Sequence, residues 1–499
     1  MKLSLRQEEV SILIRVRDFL TQEKIDSYLV GGYIRDSLLD RPTRDIDIAV
    51  TTSALEAAKK VAAVLNGRYV LLDEANEIAR VVLLEDDSVQ GRWHLDFSTI
   101  REGIEENLSH RDFTIDALAI DLRELETASA ACLIDPFQGQ KDLKEGIIRA
   151  VSEAAFEDDP ARLLRAVRLA AEYGLAIEQW TEALIQSQAQ LISQVAGERV
   201  REELCRLLSV QNAAPYLYYL DRLGLLTAIV PELTATKGVE QPREHYWDVF
   251  QHSIETVAAL ERLLQSEDTA QKDAILSMVP HIPRLSQHFQ QEVSHGVSRA
   301  VLAKIAALLH DVAKPQTKST EPNGRARFLG HTKQGAAMAG DILQRLRFSN
   351  REMRTVQKII ESHLRLWQMG GEGKPTHRAI YRFFRDTEDA SIDILFLTLA
   401  DFLAAQGPHL DMSEWQQHCQ MIEYIWSEHE QEEARIIPQK LIDGHDLIDI
   451  LRLEPSPVIG QLLEAIREAQ GIGEITTREE AIAFARRQLD QCKTSEKVV

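Results

Sequence analysis

Residues 28–50, YLVGGYIRDSLLDRPTRDIDIAV, constrain the fold of this chain more than any other stretch. Tyr28-Leu29-Val30 is a short β-type run, and Gly31-Gly32 breaks it. Tyr33 to Leu39 takes helical spacing, with Ile34, Leu38 and Leu39 on one side, until Arg41-Pro42-Thr43 ends it. A second strand is expected over Asp45–Val50. Side chains alternate faces along a strand, so Asp45 and Asp47 project together while Ile46, Ile48 and Val50 bury opposite. Two convergent carboxylates form a hard-oxygen site suited to Mg²⁺. A Gly-Gly turn just before them can offer backbone N–H groups to phosphates. The segment therefore predicts metal-dependent phosphoryl or nucleotidyl transfer.

The remaining sequence sets bounds. A chain of 499 residues predicts several domains. No run of about 18 apolar residues stands out, so no membrane-spanning helix is expected. The N-terminus reads as an amphipathic helix and makes a poor signal peptide. Cys132, Cys205, Cys419 and Cys492 are scattered and form no CxxC pair, which fits a reducing cytoplasm. The net charge of −21 argues against a generic nucleic-acid coat protein. An RNA enzyme with a local basic surface stays open.

Organisation follows in four regions: 1–150, 151–240, 241–410 and 411–499. The first mixes helices with β-type runs at Tyr28–Val30, Asp45–Val50, Tyr69–Leu72, Ala79–Leu84, Trp93–Phe97 and Ala117–Ile120. The others read as helical, with a breaker-rich junction at TATKGVEQPREHYW and a frayed tail at TSEKVV.

Gly31-Gly32 with Arg35-Asp36, followed by Asp45-x-Asp47, resembles the class II tRNA nucleotidyltransferase and bacterial poly(A) polymerase family. Further motifs follow in that family's order. His110-Arg111-Asp112-Phe113-Thr114-Ile115-Asp116-Ala117 resembles its RRDFTxNA motif, with His110 where Arg is usual and Asp116 where Asn is usual. Arg111 is the candidate partner of a triphosphate or ribose, because guanidinium matches phosphate oxygens. Asp112 would fix that arginine or contact the sugar. Asp135-Pro136-Phe137-Gln138-Gly139 resembles a DPFGG turn that closes the head. Asp158-Asp159-Pro160-Ala161-Arg162, with Arg165 in the helix after it, resembles the EDxxR motif. Asp159 and Arg162 stand at i and i+3, expected as neighbours on one helical turn. That spacing also suits an intrahelical salt bridge; the resemblance implies that the pair reads the edge of a cytosine or adenine. Glu198-Arg199-Val200-Arg201-Glu202-Glu203-Leu204 resembles the family's later neck-helix motif, where a solvated charged face and a functional one fit equally well.

Asp96 is a candidate third carboxylate on a neighbouring strand. Only FSTIREGIEENLS separates it from His110, where CCA-adding members carry a long loop. The short path resembles the CC-adding subgroup.

A histidine set occupies the third region. His252, His310-Asp311, His331, His363 and Asp401 fall in an order resembling an HD-type metal phosphohydrolase. Imidazole and carboxylate ligands suit Mn²⁺, Fe²⁺, Co²⁺ or Ni²⁺ better than Mg²⁺. His252, His310, Asp311 and Asp401 are the expected ligands. Lys314, His331 and His363 are candidates for substrate or a second metal.

The resemblance thus implies an α+β head of the polymerase-β type, followed by all-α neck, HD and tail domains. It implies CMP addition to a tRNA 3′ end from CTP, with Asp45 and Asp47 holding Mg²⁺ and Gly31, Gly32 and Arg35 cradling the triphosphate. The HD domain would act on phosphomonoesters or 2′,3′-cyclic phosphates. A CCA-adding enzyme, an A-adding enzyme using ATP, a poly(A) polymerase and an RNA-end phosphohydrolase with a nucleotide-binding head are the alternatives. The tRNA acceptor arm is the expected partner; no membrane partner is expected, and oligomeric state does not follow from the sequence.

Overall fold

The computed structural model describes residues 6–83, 92–127, 132–242, 244–265, 273–370, 373–434 and 441–495. The Cys492 side chain, Leu84 and the last four residues of the TSEKVV tail lie outside that set. The chain forms two compact units: residues 1–210 with 216–229, and residues 211–215 with 230–499. The expected head and neck together make up most of the first unit.

The first unit is built on a six-stranded mixed sheet. Its strands are β1 (Ser27–Val30), β2 (Asp45–Val50), β3 (Arg68–Asp73), β4 (Ile78–Leu83), β5 (Trp93–Thr99) and β6 (Ala119–Asp121), in the order β3-β4-β5-β2-β1-β6. The β2–β5 pair is parallel and the others are antiparallel. The alternation read from the sequence sets the faces. Ile46, Ile48 and Val50 of β2 are buried, as are Trp93, Leu95 and Phe97 of β5. Asp45, Asp47, His94 and Asp96 therefore share the opposite face.

The last strand starts later than expected. Thr114–Asp116 forms a 3₁₀ turn, so Ala117 and Leu118 precede β6 instead of belonging to it. Leu118 still contributes, because its carbonyl accepts from Gly31 N–H at 3.1 Å.

The remainder of the first unit is helical, including Ala155–Asp158, Ala161–Tyr173 and Gly197–Ser209. The buried stripe of Leu163, Leu164, Val167 and Leu169 holds the Ala161–Tyr173 helix in place. Arg168 is buried with it and ion-paired to Glu172 and Glu203.

The second unit is mainly helical. Its core helices are Val249–Leu264, Arg299–Leu309, His331–Arg345, Asn350–Ser362 and Ser391–Gln406. A separate apolar cluster around Leu447, Ile466, Ala469 and Ala485 organises the C-terminal helices.

One segment departs from the hydropathy expectation. His377–His409 is long and apolar enough to cross a membrane by composition. It is not one continuous helix: Glu388, with φ of 51°, separates His377–Thr387 from Ser391–Gln406. Its most apolar window is 67% buried inside the protein, so packing accounts for its composition.

The Asp135–Gly139 turn locks the head through backbone contact. Asp135 accepts from Gly139 N–H at 2.6 Å and Gln140 N–H at 3.0 Å. A Cβ on Gly139 would stand 2.0 Å from the Thr114 carbonyl oxygen, where no side chain can yield. Gly139→Ala is expected to destabilise the first unit by about 3 kcal/mol, as overpacking against rigid backbone does. Denaturant melts that resolve the two units check this.

Candidate functional site

The β2–β5 register sets the geometry of the head. Asp45 lies opposite His94, and Asp47 opposite Asp96. The Asp45 side chain is 69% exposed, and its Oδ1 lies 3.0 Å from His94 Nδ1. Asp96 is held by the fork of Arg80, whose Nε and Nη2 each donate at 2.7 Å. Such a bidentate pair fixes both carboxylate oxygens. Asp96 thus stands beside Asp47 already partnered.

Asp47 is half-buried and faces Gly31 and Arg111. Gly31 has φ of 72°, a conformation that suits glycine. A Cβ there would lie 2.9 Å from Arg111 Nη1 and 3.0 Å from Asp47 Oδ2. The bare backbone keeps that corner open between a carboxylate and a guanidinium. Burial pushes the Asp47 carboxyl up to about 6; Arg111 opposes the rise and Asp96 adds to it. A carboxylate that is costly to ionise beside a second carboxylate suits a divalent cation.

Several expected contacts take other partners. Gly31 N–H is committed to Leu118, so Gly32 at the start of the Gly32–Leu38 helix is the open N–H of the pair. Arg35 is buried and does not extend into the open corner. Its Nη1 donates to Asp116 at 2.5 Å, Nη2 to Tyr173 Oη at 2.7 Å and Nε to Asp36 at 2.9 Å. Asp116, the departure from the expected Asn, is therefore the charge partner of Arg35. Asp112 pairs with Arg165 at 2.7 Å and accepts from Phe113 N–H at 2.9 Å. Burial would raise Asp112, but Arg165 and Arg162 hold it below its usual range.

Asp159 and Arg162 do not share a helical turn. Asp159 is extended, with φ of −149°, and precedes the helix that carries Arg162. Pro160 between them forces this, since proline disfavours helix at the residue before it. Their charged ends are 3.9 Å apart. Both oxygens of Asp159 accept from Arg199, at 2.9 and 2.8 Å. Arg162 donates to the carbonyls of Ala155 and His110, at 3.0 and 2.8 Å. The sequence spacing showed the pair but not Arg199, which arrives from a helix 40 positions on.

Between β5 and the Ile104–Ser109 helix only residues 100–103 intervene. The connection is short in space as well as in sequence.

In the second unit the histidine set converges. His252 Nε2 lies 2.9 Å from Asp401 Oδ1, and His310 Nε2 lies 3.1 Å from Asp311 Oδ2. His331 Nε2 is 3.4 Å from Asp311 Oδ1. Ligand atoms of His252, His310 and Asp401 fall within 4.8 Å of one another, as do those of His310, Asp311 and His363. Helix ends arrange this. His310 and His363 cap the Arg299–Leu309 and Asn350–Ser362 helices, whose last carbonyls lack helical partners. Their Nδ1–H groups donate back to Ala307 and Ile360, at 2.8 and 2.7 Å. His331 Nδ1–H donates to Phe328 at 2.6 Å. A carbonyl can only accept, so Nδ1 carries hydrogen in each ring and Nε2 is turned to the centre.

Several of those inward atoms make no well-formed hydrogen bond: His252 Nε2, His310 Nε2, His331 Nε2 and Asp311 Oδ1. Orphaned buried polar atoms are costly unless something binds them. The donor set fits a transition metal. Burial would raise Asp311 and Asp401, yet both sit well below the usual carboxylate range because imidazoles surround them and Lys314 adds charge at Asp311. Lys314 Nζ reaches Asp311 at 2.5 Å and Gln241 at 2.6 Å.

Two residues here escaped the sequence reading. Gln241 holds Lys314. His245 is edge-on to His252, with centroids 5.2 Å apart, and its Nδ1 lacks a partner. Burial and then Lys314 push His245 down to about 4. Both lie in the breaker-rich junction, where no periodic pattern marks a site.

Known proteins resemble the chain throughout. The poly A polymerase head domain matches residues 27–149, a probable RNA and SrmB-binding site of polymerase A matches 174–237, and the HD domain matches 249–406. An A-adding tRNA nucleotidyltransferase of Deinococcus radiodurans is 33% identical, over 92% of this chain and 94% of its own. A CC-adding tRNA nucleotidyltransferase of Geobacter sulfurreducens is 31% identical, over 93% and 92%. In fold, the chain resembles the Thermotoga maritima CCA-adding enzyme complexed with tRNA, with a TM-score of 0.59 at 22% identity over 97% and 96%.

The pKa of Asp47 gives a stability test. Its folded value of about 6 exceeds the ordinary 3.8, so its contribution is intact below about pH 4 and is lost as pH rises through 6. Asp47→Asn should therefore stabilise the metal-free protein at pH 8 by ~2 kcal/mol. The gain should vanish at pH 4. Thermal melts in chelator across that range measure it.

Proposed function

Because the chain belongs to the tRNA nucleotidyltransferase family, we propose that it is the CC-adding kind, transferring CMP from CTP to the 3′ end of tRNA. The observation that carries this reading is the four-residue connection at 100–103, which leaves no long loop between β5 and Arg111. Without such a loop, that connection offers no segment to shift the selector at Asp159 and Arg162 from CTP to ATP. A second reading, A addition, is favoured by the 33% identity to the Deinococcus radiodurans A-adding protein.

In the proposed reaction the tRNA 3′-oxygen attacks the α-phosphorus of CTP, and pyrophosphate leaves. Asp45 and Asp47 would hold divalent metal. When bound, such ions lower the pKa of the attacking hydroxyl and neutralise the triphosphate. Asp96 keeps the field at Asp47 negative while Arg80 holds it in place. Arg111 and Gly32 N–H face the phosphates at the open corner beside Gly31. Arg35 acts one layer back: it ties Asp36, Asp116 and Tyr173 together and so steadies the helix that begins at Gly32. Asp112 positions Arg165. Asp159 and Arg162 read the base once Asp159 leaves Arg199. The acceptor arm is gripped by shape and backbone, as duplex RNA generally is.

The histidine-rich centre is a second reaction site, hydrolysing phosphomonoesters or 2′,3′-cyclic phosphates. His252, His310, Asp311 and Asp401 would hold a metal such as Ni²⁺, Mn²⁺, Co²⁺ or Fe²⁺, which supplies an activated water when bound. His331 and His363 face the same centre, and Lys314 offers a cation to the phosphate.

Two experiments decide these assignments. Offered tRNA ending at the discriminator base with CTP and ATP together, the enzyme should stop at CC. Full CCA would overturn the CC assignment, and addition of A alone to tRNA already ending in CC would establish the second reading. Asp45→Ala with Asp47→Ala should lower nucleotide addition at least 10³-fold and spare phosphohydrolysis, with His310→Ala and Asp311→Ala doing the reverse. Loss of both activities from either folded variant would remove the two-site scheme.

A further inference from the structure

The three carboxylates on the open face of the head's sheet are held in different ways. Arg80 takes both oxygens of Asp96. Arg111 lies near Asp47 across the bare Gly31. Asp45 has His94, whose Nδ1 stands 3.0 Å from its Oδ1. Among the described residues, no other side chain hydrogen-bonds or ion-pairs with the Asp45 carboxylate. That side chain is mostly exposed, so packing does not choose its rotamer and the imidazole does.

The contact is built into the sheet. The parallel register of β2 and β5 sets Asp45 opposite His94, two residues before Asp47 meets Asp96. His94 N–H donates to the Arg44 carbonyl at 2.9 Å, which closes the ladder at this point. Trp93 and Leu95, on either side of His94, are buried, so its backbone is fixed. A carboxylate can only accept, so Nδ1 carries the hydrogen. The chemistry of the two donors differs. A guanidinium brings a full positive charge to its carboxylate, whereas an imidazole can donate through N–H without bringing one. Arg80 therefore offsets the charge of Asp96, while His94 orients Asp45 and leaves its charge to a cation. Carboxylates that ligate metals are commonly oriented by such hydrogen bonds from behind.

We propose that His94 is a positioning residue for the divalent-cation site of the head. Its Nδ1–H holds the Asp45 carboxylate against β5, on the face that Asp47 and Asp96 share, and so raises metal affinity without ligating the metal. This rests on the reading of Asp45 and Asp47 as metal ligands. It adds the residue that orders the more exposed of the two before the metal arrives, which removes the entropy of that ordering from the binding step.

The test uses the full chain carrying His310→Ala and Asp311→Ala, so that the histidine-rich centre is disabled in every arm. Mn²⁺ alone is titrated at pH 8 and the free ion is followed by electron paramagnetic resonance. His94→Ala should weaken Mn²⁺ binding by about 10- to 100-fold. His94→Asn, whose amide N–H can take the place of Nδ1–H, should recover most of that loss. An unchanged Mn²⁺ affinity in a His94→Ala protein with wild-type circular dichroism overturns the proposal. Failure of His94→Asn to recover binding overturns it too, since His94 would then ligate the metal itself. Asp45→Asn separates the two readings. If Asp45→Asn weakens binding and His94→Ala does not, this inference alone fails; if neither does, the metal reading of the head fails. Kinetics give a second measure. The Mg²⁺ concentration for half-maximal CMP addition should rise by a similar factor in His94→Ala, and the rate at saturating Mg²⁺ should return to near that of wild type. A rate that stays low at saturating Mg²⁺, with an unchanged half-saturation, overturns the positioning role.

Discussion

Laying β2 parallel to β5 sets Asp47 opposite Asp96, and much of the head is arranged around that juxtaposition. Two carboxylates side by side on a half-dry sheet repel, and burial makes Asp47 more costly to ionise. The fold meets this with cations of fixed geometry. Arg80 takes both oxygens of Asp96 from the next strand, and Arg111 approaches Asp47 across the bare Gly31. What remains is a site with negative charge in reserve at Asp45 and Asp47. Arg35 and Asp116, further in, close a separate internal network that leaves the exposed corner to Arg111.

The second unit meets the opposite problem. Its imidazoles and carboxylates are gathered in a dry interior, and the fold cannot satisfy them internally. It settles their orientation through helix ends, turning an unpaired last-turn carbonyl into the acceptor that holds each Nδ1–H. The same bond that repairs the helix terminus aims Nε2 inward. Orientation at this centre is thus a property of where helices stop.

The sequence disclosed what lies within one element and concealed what is made between elements. Asp45 and Asp47 were legible because a period of two places them together. His310 and Asp311 were legible because they are neighbours in the sequence and their order among the histidines resembles that of a known family. Arg80 on Asp96, Arg199 on Asp159 and Tyr173 on Arg35 were not, since each pair joins separate elements and nothing in local spacing signals it. Asp159 shows the limit most clearly: its i, i+3 relation to Arg162 suggested one turn, and Pro160 ended that geometry. His245 and Gln241 were hidden for another reason. They lie in a breaker-rich junction that reads as connection, yet the chain folds it against the imidazoles.

Residues 100–103 carry an evolutionary consequence. The connection leaves β5 and enters the next helix through Gly103, whose φ of 109° favours glycine but whose empty surroundings place no packing demand on the chain there. Closing a longer loop at such a point costs only about 0.6 kcal/mol for each doubling of length. A segment can be gained or lost there without disturbing the strand that carries Asp96 or the turn that carries Arg111. Lineages of this fold can therefore vary the length of that connection while the six-stranded sheet stays untouched.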